Sequence, residues 1–405
     1  VVSHMLEAFR TSQSSKIKKL KILYNLIRKH ESITVEELLL QSGMKPATCA
    51  RLLEELSKDN LINSNELGES TGGRKPILYR INPEQAYLIG IEVTNLYSTI
   101  VLSDLNLKEI SHKKIQMGPQ TAIFDILDMF TEQLLELLNE EGKEISDILG
   151  IGISVDDLLD QVSQNEEITA SDIENYLTAK IPTYVMVGSG VNFAALAEYR
   201  LHYWQTSERF LLTTGDIEIR SAEIVDGMMA SGYSGMTNAF GHTIIDTNGS
   251  RCYCGSYGCL HTYSSLPTIK AKIMQELKQG KPSVLHELTS DPENIDYFTI
   301  FQALEQDDPV CHDILKNAAY YYGIALSNLI LTTQPDTVVC GGTLVPKGTF
   351  FEDVKKTVEE RLRAFPKIKT TIHPAKESYE IVAQGAGGMV LERFLTRAGP
   401  GTYPR

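Results

Sequence analysis

Apolar residues recur at helical spacing from Lys16 to His30, where Ile17, Leu20, Leu23, Tyr24 and Ile27 share one face. That pattern predicts a first helix. A second is expected from Val35 to Gln41: Ser32 or Thr34 can cap it, and Glu36 and Glu37 sit in its first turn, where the dipole favours carboxylates. Ser42-Gly43 ends it, and Pro46 suits the first turn of a third helix whose apolar face reads as Ala50, Leu52, Leu53 and Leu56. Helix, Gly-containing turn, helix is helix-turn-helix spacing. The third helix would present Lys45, Ala47, Thr48 and Arg51, short or basic groups suited to a DNA major groove. After Leu61-Ile62, two short strand-like pieces flank Thr71-Gly72-Gly73-Arg74-Lys75-Pro76. This basic, Gly-rich stretch reads as a wing, with Arg74 and Lys75 directed at the phosphate backbone or minor groove. The plain alternative is a three-helix module that binds protein, or a Gly-rich linker.

From Ala86 the pattern changes. Short apolar runs predict strands at Tyr87–Val93, Ser98–Ser103, Ile148–Val155, Tyr184–Val187, Arg209–Thr214, Ile217–Val225, Thr337–Cys340 and Tyr379–Ala383. Helical periodicity covers Ala122–Leu138, Val191–Leu201 and Cys311–Leu331. Strands alternating with helices in two successive sets predict a two-lobed α/β body. The expected plan is a head over residues 1–82, a first lobe over 83–200 completed by a C-terminal helix at 384–396, and a second lobe over 201–383.

Charge sharpens this division. Residues 1–82 carry a net +4 and the remainder a net −18, within a total of −14 over 405 residues. A basic head on an acidic body points to nucleic acid at the N-terminal end. Because +4 is modest, oligomerisation is expected to supply much of the affinity. No apolar run approaches the roughly 20 residues of a membrane span, and the stretch from Met5 to Arg10 lacks a secretory apolar core. A cysteine-poor chain of this kind reads as cytoplasmic, with no membrane partner.

Three of the six cysteines crowd into Cys252, Cys254 and Cys259, preceded by His242. One imidazole and three thiolates form a closed tetrahedral zinc set, so a zinc loop over 242–261 is expected to be structural. Gly255 and Gly258 allow the tight turn that aims successive sulfurs at one point. A reduced buried thiol cluster is the alternative, and His261 competes with His242 for the fourth position.

Together these residues resemble the ROK family of repressors, open reading frames and kinases over about residues 16–396. The resemblance rests on the winged-helix pattern, Gly72-Gly73-Arg74-Lys75-Pro76, Gly241-His242 and the Cys-x-Cys-Gly-x2-Gly-Cys signature. Asp226-Gly227, Pro335-Asp336 ahead of Gly341-Gly342, and Gly385-Ala386 also match family positions. It implies an actin-like, ribonuclease-H-related ATPase fold for the body, a zinc-stabilised sugar-binding cleft and, in the winged-helix branch, a homodimeric or homotetrameric repressor acting on a double-stranded DNA operator.

Several family positions have changed. The first phosphate loop, Asp-x-Gly-x-Thr, corresponds to Glu92-Val93-Thr94-Asn95-Leu96, without its glycine. The second Gly-rich loop maps onto Asp216-Ile217-Glu218-Ile219-Arg220-Ser221-Ala222, where every glycine is gone and two carboxylates would face the phosphates. The catalytic Asn-Asp pair maps onto Ser189-Gly190, and glycine cannot act as a general base. Two sugar-contacting glutamates are replaced by Ala239 and His261. The expectation is a regulator of carbohydrate-related genes without enzymatic activity. A carbohydrate or sugar-phosphate effector would meet Asn238, His242 and His261. A sugar kinase fused to a winged helix is the competing reading.

Overall fold

A computed structural model describes residues 2–66, 76–94, 97–117, 123–155, 168–230, 239–289, 295–376 and 380–396. They fall into two units, Val1–Gln205 with Ser378–Arg405, and Thr206–Glu377. The N-terminal part of the first unit contains α1 (His4–Thr11), α2 (Ser15–His30), β1 (Ile33–Thr34), α3 (Val35–Ser42), α4 (Pro46–Lys58), β2 (Ile62–Glu66) and β3 (Ile77–Ile81). Ile17, Leu20, Leu23, Tyr24 and Ile27 of α2 are buried, as their spacing requires. Thr34 rather than Ser32 caps α3, in a reciprocal capping box with Glu37. Gly43 ends α3 at φ +63°. The buried stripe of α4 is Cys49, Leu52, Leu53 and Leu56. Ala50, expected inside, is exposed, because it lies about 100° around the helix from Cys49. The three strands pair antiparallel in the order β1-β3-β2.

The rest of the first unit is built on β4 (Tyr87–Val93), β5 (Tyr97–Asp104), β6 (Glu109–Gln116), α5 (Ile123–Glu140), β7 (Ile148–Ser154), α6 (Ala170–Lys180), β8 (Tyr184–Gly188) and α7 (Gly190–Glu198). The sheet order is β6-β5-β4-β7-β8: a β4–β5–β6 antiparallel meander extended in parallel by β7 and β8. Apolar faces of α5 and α6 cover one side of it. The other side carries the C-terminal helix, Ile381–Leu395. This helix lies almost directly on the strands. A Cβ at Gly90 of β4 would stand 1.6 Å from the Ala383 carbonyl oxygen, and one at Gly152 of β7 would stand 2.0 Å from that of Ala386. The two glycines form a notch that lets helix backbone touch sheet backbone.

Two sequence expectations fail here. Ile381–Ala383 belong to the C-terminal helix rather than to a strand, and Tyr379 lies outside the described residues. A three-residue apolar run does not distinguish a buried strand from a buried helix. The helix predicted to reach Leu201 ends its α-geometry at Glu198 and continues as a π-helical turn, Tyr199–Tyr203.

The second unit repeats the same sheet plan. Its strands are β9 (Arg209–Thr214), β10 (Arg220–Val225), β11 (Met228–Met229), β12 (Thr337–Gly341) and β13 (Thr371–Pro374), in the order β11-β10-β9-β12-β13. The first three pair antiparallel and the last two add in parallel. The strand expected from Ile217 begins only at Arg220, because Asp216–Ile219 turn between β9 and β10. A core of Leu211, Ile219, Phe240, Tyr322, Leu326 and Phe350, among others, joins this sheet to the 25-residue helix Pro309–Thr333. No helix among the described residues is long and apolar enough to cross a membrane.

Candidate metal centre and candidate nucleic-acid interface

The loop from Phe240 to Leu260 folds back on itself through two isolated bridges, Ile244 with Cys259 and Arg251 with Tyr257. The backbone N–H of His261 bonds the Gly241 carbonyl at 2.8 Å, which sets His242 beside Cys259. Gly258 adopts φ +68°, and a Cβ there would stand 1.6 Å from the Asp246 carbonyl oxygen, so only glycine closes this turn. The ligand atoms of His242, Cys252, Cys254 and Cys259 all lie within 4.8 Å of one another. His242 Nδ1 is 3.5 Å from Cys252 Sγ, and Cys254 Sγ is 3.7 Å from Cys259 Sγ. This cluster can hold a metal ion. His261 stands outside it: its Nε2–H donates to the Ile217 carbonyl at 3.1 Å.

Tyr253 sets the state of the ligand histidine. Its hydroxyl donates to Glu218 Oε2 at 2.7 Å and lies 3.1 Å from His242 Nε2. Since the hydroxyl hydrogen is already committed, the hydroxyl oxygen accepts from Nε2–H, and the Nδ1 lone pair faces the sulfurs. Burial, with His261 nearby, pulls the His242 imidazole below its ordinary value, which favours the neutral form a metal ligand needs. A backbone N–H at Ser256 lowers the Cys254 thiol, whereas burial pushes that of Cys259 up to about 12.

Glu218 lies on the β9–β10 turn with Asp216. Burial raises Glu218, but hydrogen bonds from His261 and Tyr253 outweigh it and hold the carboxyl below the ordinary glutamate range. Asp216 crosses to the loop after β12. Its Oδ2 accepts from Thr343 Oγ1 at 2.9 Å and from the Thr343 N–H at 3.2 Å, while its Oδ1 accepts from the Ile217 N–H. Both carboxylates are therefore bonded to groups of this chain. In the first unit, Ser189 and Gly190 open α7, and Glu92 stands near the end of β4. Ala239 is exposed at the start of the metal loop. Asn238 lies outside the described residues.

In the head, Lys45 is the residue preceding α4, and Lys45, Ala47 and Arg51 are exposed with Thr48 half-buried beside them. Arg51 Nη1 bonds Glu55 Oε1 at 3.0 Å, one turn along, with more than half its side chain in solvent. Arg74 and Lys75 lie outside the described residues. Sequence reasoning missed α1, whose apolar Leu6 and Phe9 are fully buried. It also missed the Tyr253–Glu218 link, because neither partner has a spacing that points to the other.

The ROK family sequence pattern matches residues 88–393. A xylose repressor of Bacillus spizizenii is 23% identical over 385 residues, covering 93% of this chain and 95% of that protein. The DNA-binding transcriptional dual regulator NagC of Escherichia coli is 23% identical over 328 residues, 80% of this chain and 79% of NagC. Among solved structures, a ROK family transcriptional regulator homologous to the E. coli MLC protein superposes with a TM-score of 0.75 at 20% identity, over 94% of this chain and 98% of that one. A ROK family glucokinase from Streptomyces griseus superposes with a TM-score of 0.60 at 20% identity, over 75% and 99%. These likenesses show that the chain shares the α/β fold of those structures. With the family pattern running through both five-stranded sheets and the histidine–cysteine loop, the chain belongs to the ROK family.

Proposed function

We propose that this protein is a sequence-specific DNA-binding transcriptional regulator, a repressor of carbohydrate-related genes, whose body no longer transfers phosphate. The observation that carries the proposal is the pairing of two regions. Helices α2, α3 and α4 with strands β1, β2 and β3 are read as a winged helix-turn-helix, in which Lys45, Ala47, Thr48 and Arg51 would lie along the outer face of the recognition helix. On the body, the turn standing where family kinases cradle phosphate carries Asp216 and Glu218, each bonded within the chain. Arg74 and Lys75, proposed from the sequence alone, would complete the DNA set at the backbone or minor groove. Near full-length similarity to proteins named as xylose repressors supports the regulatory reading and a carbohydrate or sugar-phosphate effector. Asn238, His242 and His261 would contact that effector. Binding would require His242 and His261 to exchange their bonds to Tyr253 and Ile217 for bonds to a sugar.

The metal is proposed to be zinc, with a structural role. Zn–S bonds of about 2.3 Å and Zn–N bonds of about 2.0 Å in a tetrahedron set S···S near 3.8 Å and N···S near 3.5 Å. The observed 3.7 and 3.5 Å separations fit that donor set. Four protein ligands leave no open position for a substrate. The working form is proposed to be a homodimer or homotetramer in the cytoplasm, which lets a modestly basic head hold DNA through several copies. A coupled ADP-release assay over a panel of hexoses tests the loss of phosphate transfer. No hexose-dependent release is expected. Turnover that disappears when Glu92 is replaced by Ala would restore the kinase reading.

A further inference from the structure

Helix α2 meets the C-terminal helix through a buried charge node. Arg28 Nη2 lies 2.6 Å from Glu392 Oε1, and Arg200 Nη2 lies 2.9 Å from Glu392 Oε2. One carboxylate thus holds two guanidiniums, one from the head and one from the π-helical turn of the body. The side chains are 4%, 14% and 8% exposed for Arg28, Glu392 and Arg200. Trp204 offers its ring to both cations, with Cζ of Arg200 at 3.5 Å and Cζ of Arg28 at 4.9 Å from the centroid. Burial pushes Glu392 up, but Arg200 and Arg28 outweigh it and hold the carboxyl below the ordinary range, so it stays ionised.

Further bonds lie along the same side of α2. Lys21, two turns before Arg28, donates from Nζ to the Thr396 carbonyl at 2.9 Å, and Gln205 Nε2 donates to the Lys29 carbonyl at 3.1 Å. Arg10 of α1 lies over the rings of Tyr184 and Phe394 at 5.5 and 5.6 Å. Within the head, α2 is fixed to the proposed recognition helix by their shared core and by Lys16 Nζ bonding Glu55 Oε2 at 2.7 Å. On the other side, the Gly90–Gly152 notch leaves the C-terminal helix no room to slide.

We infer that Glu392 is a positioning residue for the head: by holding Arg28 it fixes where α2, and with it the outer face of α4, stands on the first body. Removing one partner of a buried ion pair leaves the other charge uncompensated, so the node favours one placement over a range of them. The placement itself follows from the contacts above, and only its consequence for DNA rests on the proposed function.

The test is the distance between the head and the first body in the full-length protein. Spin labels are introduced through unnatural keto residues at Leu40 and Leu135, both exposed, which leaves the cysteines untouched. The parent chain should give one narrow distance distribution. Arg28→Met keeps the Arg200–Glu392 pair intact and should broaden or shift the distribution, with helix content unchanged and Arg28→Lys restoring part of it. Glu392→Gln serves as the second variant, with the same broadening expected. A narrow, unshifted distribution in a folded variant of either kind overturns the inference. In a parallel arm, Arg28→Met should bind a two-fold symmetric DNA site several-fold more weakly while single half-site binding is unchanged. If the parent chain binds no such site, the DNA reading fails while the distance measurement still decides the clamp.

Discussion

Two neighbouring pieces of the second unit have met different fates. The loop carrying His242, Cys252, Cys254 and Cys259 keeps four groups that can hold a metal within reach of one point, and Gly258 keeps the turn that brings them there. The β9–β10 turn, which the family resemblance aligns with a glycine-rich phosphate loop of the kinases, has no glycine from Asp216 to Ala222 and instead carries Asp216 and Glu218. On the proposed reading the loop serves the fold: without an ion, three thiols and an imidazole face one another with nothing to bind. On the same reading the turn once served a substrate, and without phosphate to bind its backbone is free to change. What replaced it is also informative. Glu218 bonds Tyr253, which bonds His242, so this turn supports the candidate metal ligand it lies beside.

The widest separation between the two pieces should come from Cys259→Ser. Cys259 is fully buried, and its loss should release the ion and destabilise the protein by more than about 4 kcal/mol, read by metal content and thermal unfolding. A metal-free protein that melts like the parent would remove the structural role. If the turn has given up phosphate, phosphate recognition resides in the head. Arg51→Ala should then weaken specific DNA binding by roughly 1–3 kcal/mol and relax one base position, measured by titration of fluorescent duplexes. Tyr253→Phe tests the link between loop and turn: it removes the acceptor for His242 Nε2–H and should lower metal affinity about 10–100-fold, read by competition with a chromophoric chelator. Equal affinity would mean that the turn and the loop merely lie side by side. The smallest effect is expected from Asp216→Asn, which keeps one acceptor oxygen and should cost about 1 kcal/mol in a denaturant titration.

Legibility followed the kind of interaction. Elements with a full apolar period were readable: β4 and β9 run over the residues their patterns predict, and the buried positions of α2 are those spaced for one face. The histidine–cysteine cluster was readable because close cysteine spacing has few other uses. The C-terminal helix was misread at its start, since Ile381-Val382-Ala383 is apolar on every side and the helix is buried nearly all round. Strand β6 was missed because Glu109–Gln116 alternates between exposed and half-buried positions, with no deeply buried residue to mark it. Beyond reach altogether were the contacts between residues far apart in the chain. Nothing at Arg28, Arg200 or Glu392 marks them as partners, and Tyr253 reads as a filler between two cysteines until its hydroxyl is seen between His242 and Glu218. Pairings of this kind are set by the topology that brings the elements together.

The central claim, that the head reads DNA while the body has ceased to handle phosphate, is tested most directly by selecting bound fragments of the source genome with the purified protein across a salt series. The account predicts enrichment of a two-fold symmetric site, with affinity falling linearly on a log–log salt plot and sequence preference retained. Weak binding without sequence preference that vanishes as salt rises would contradict it.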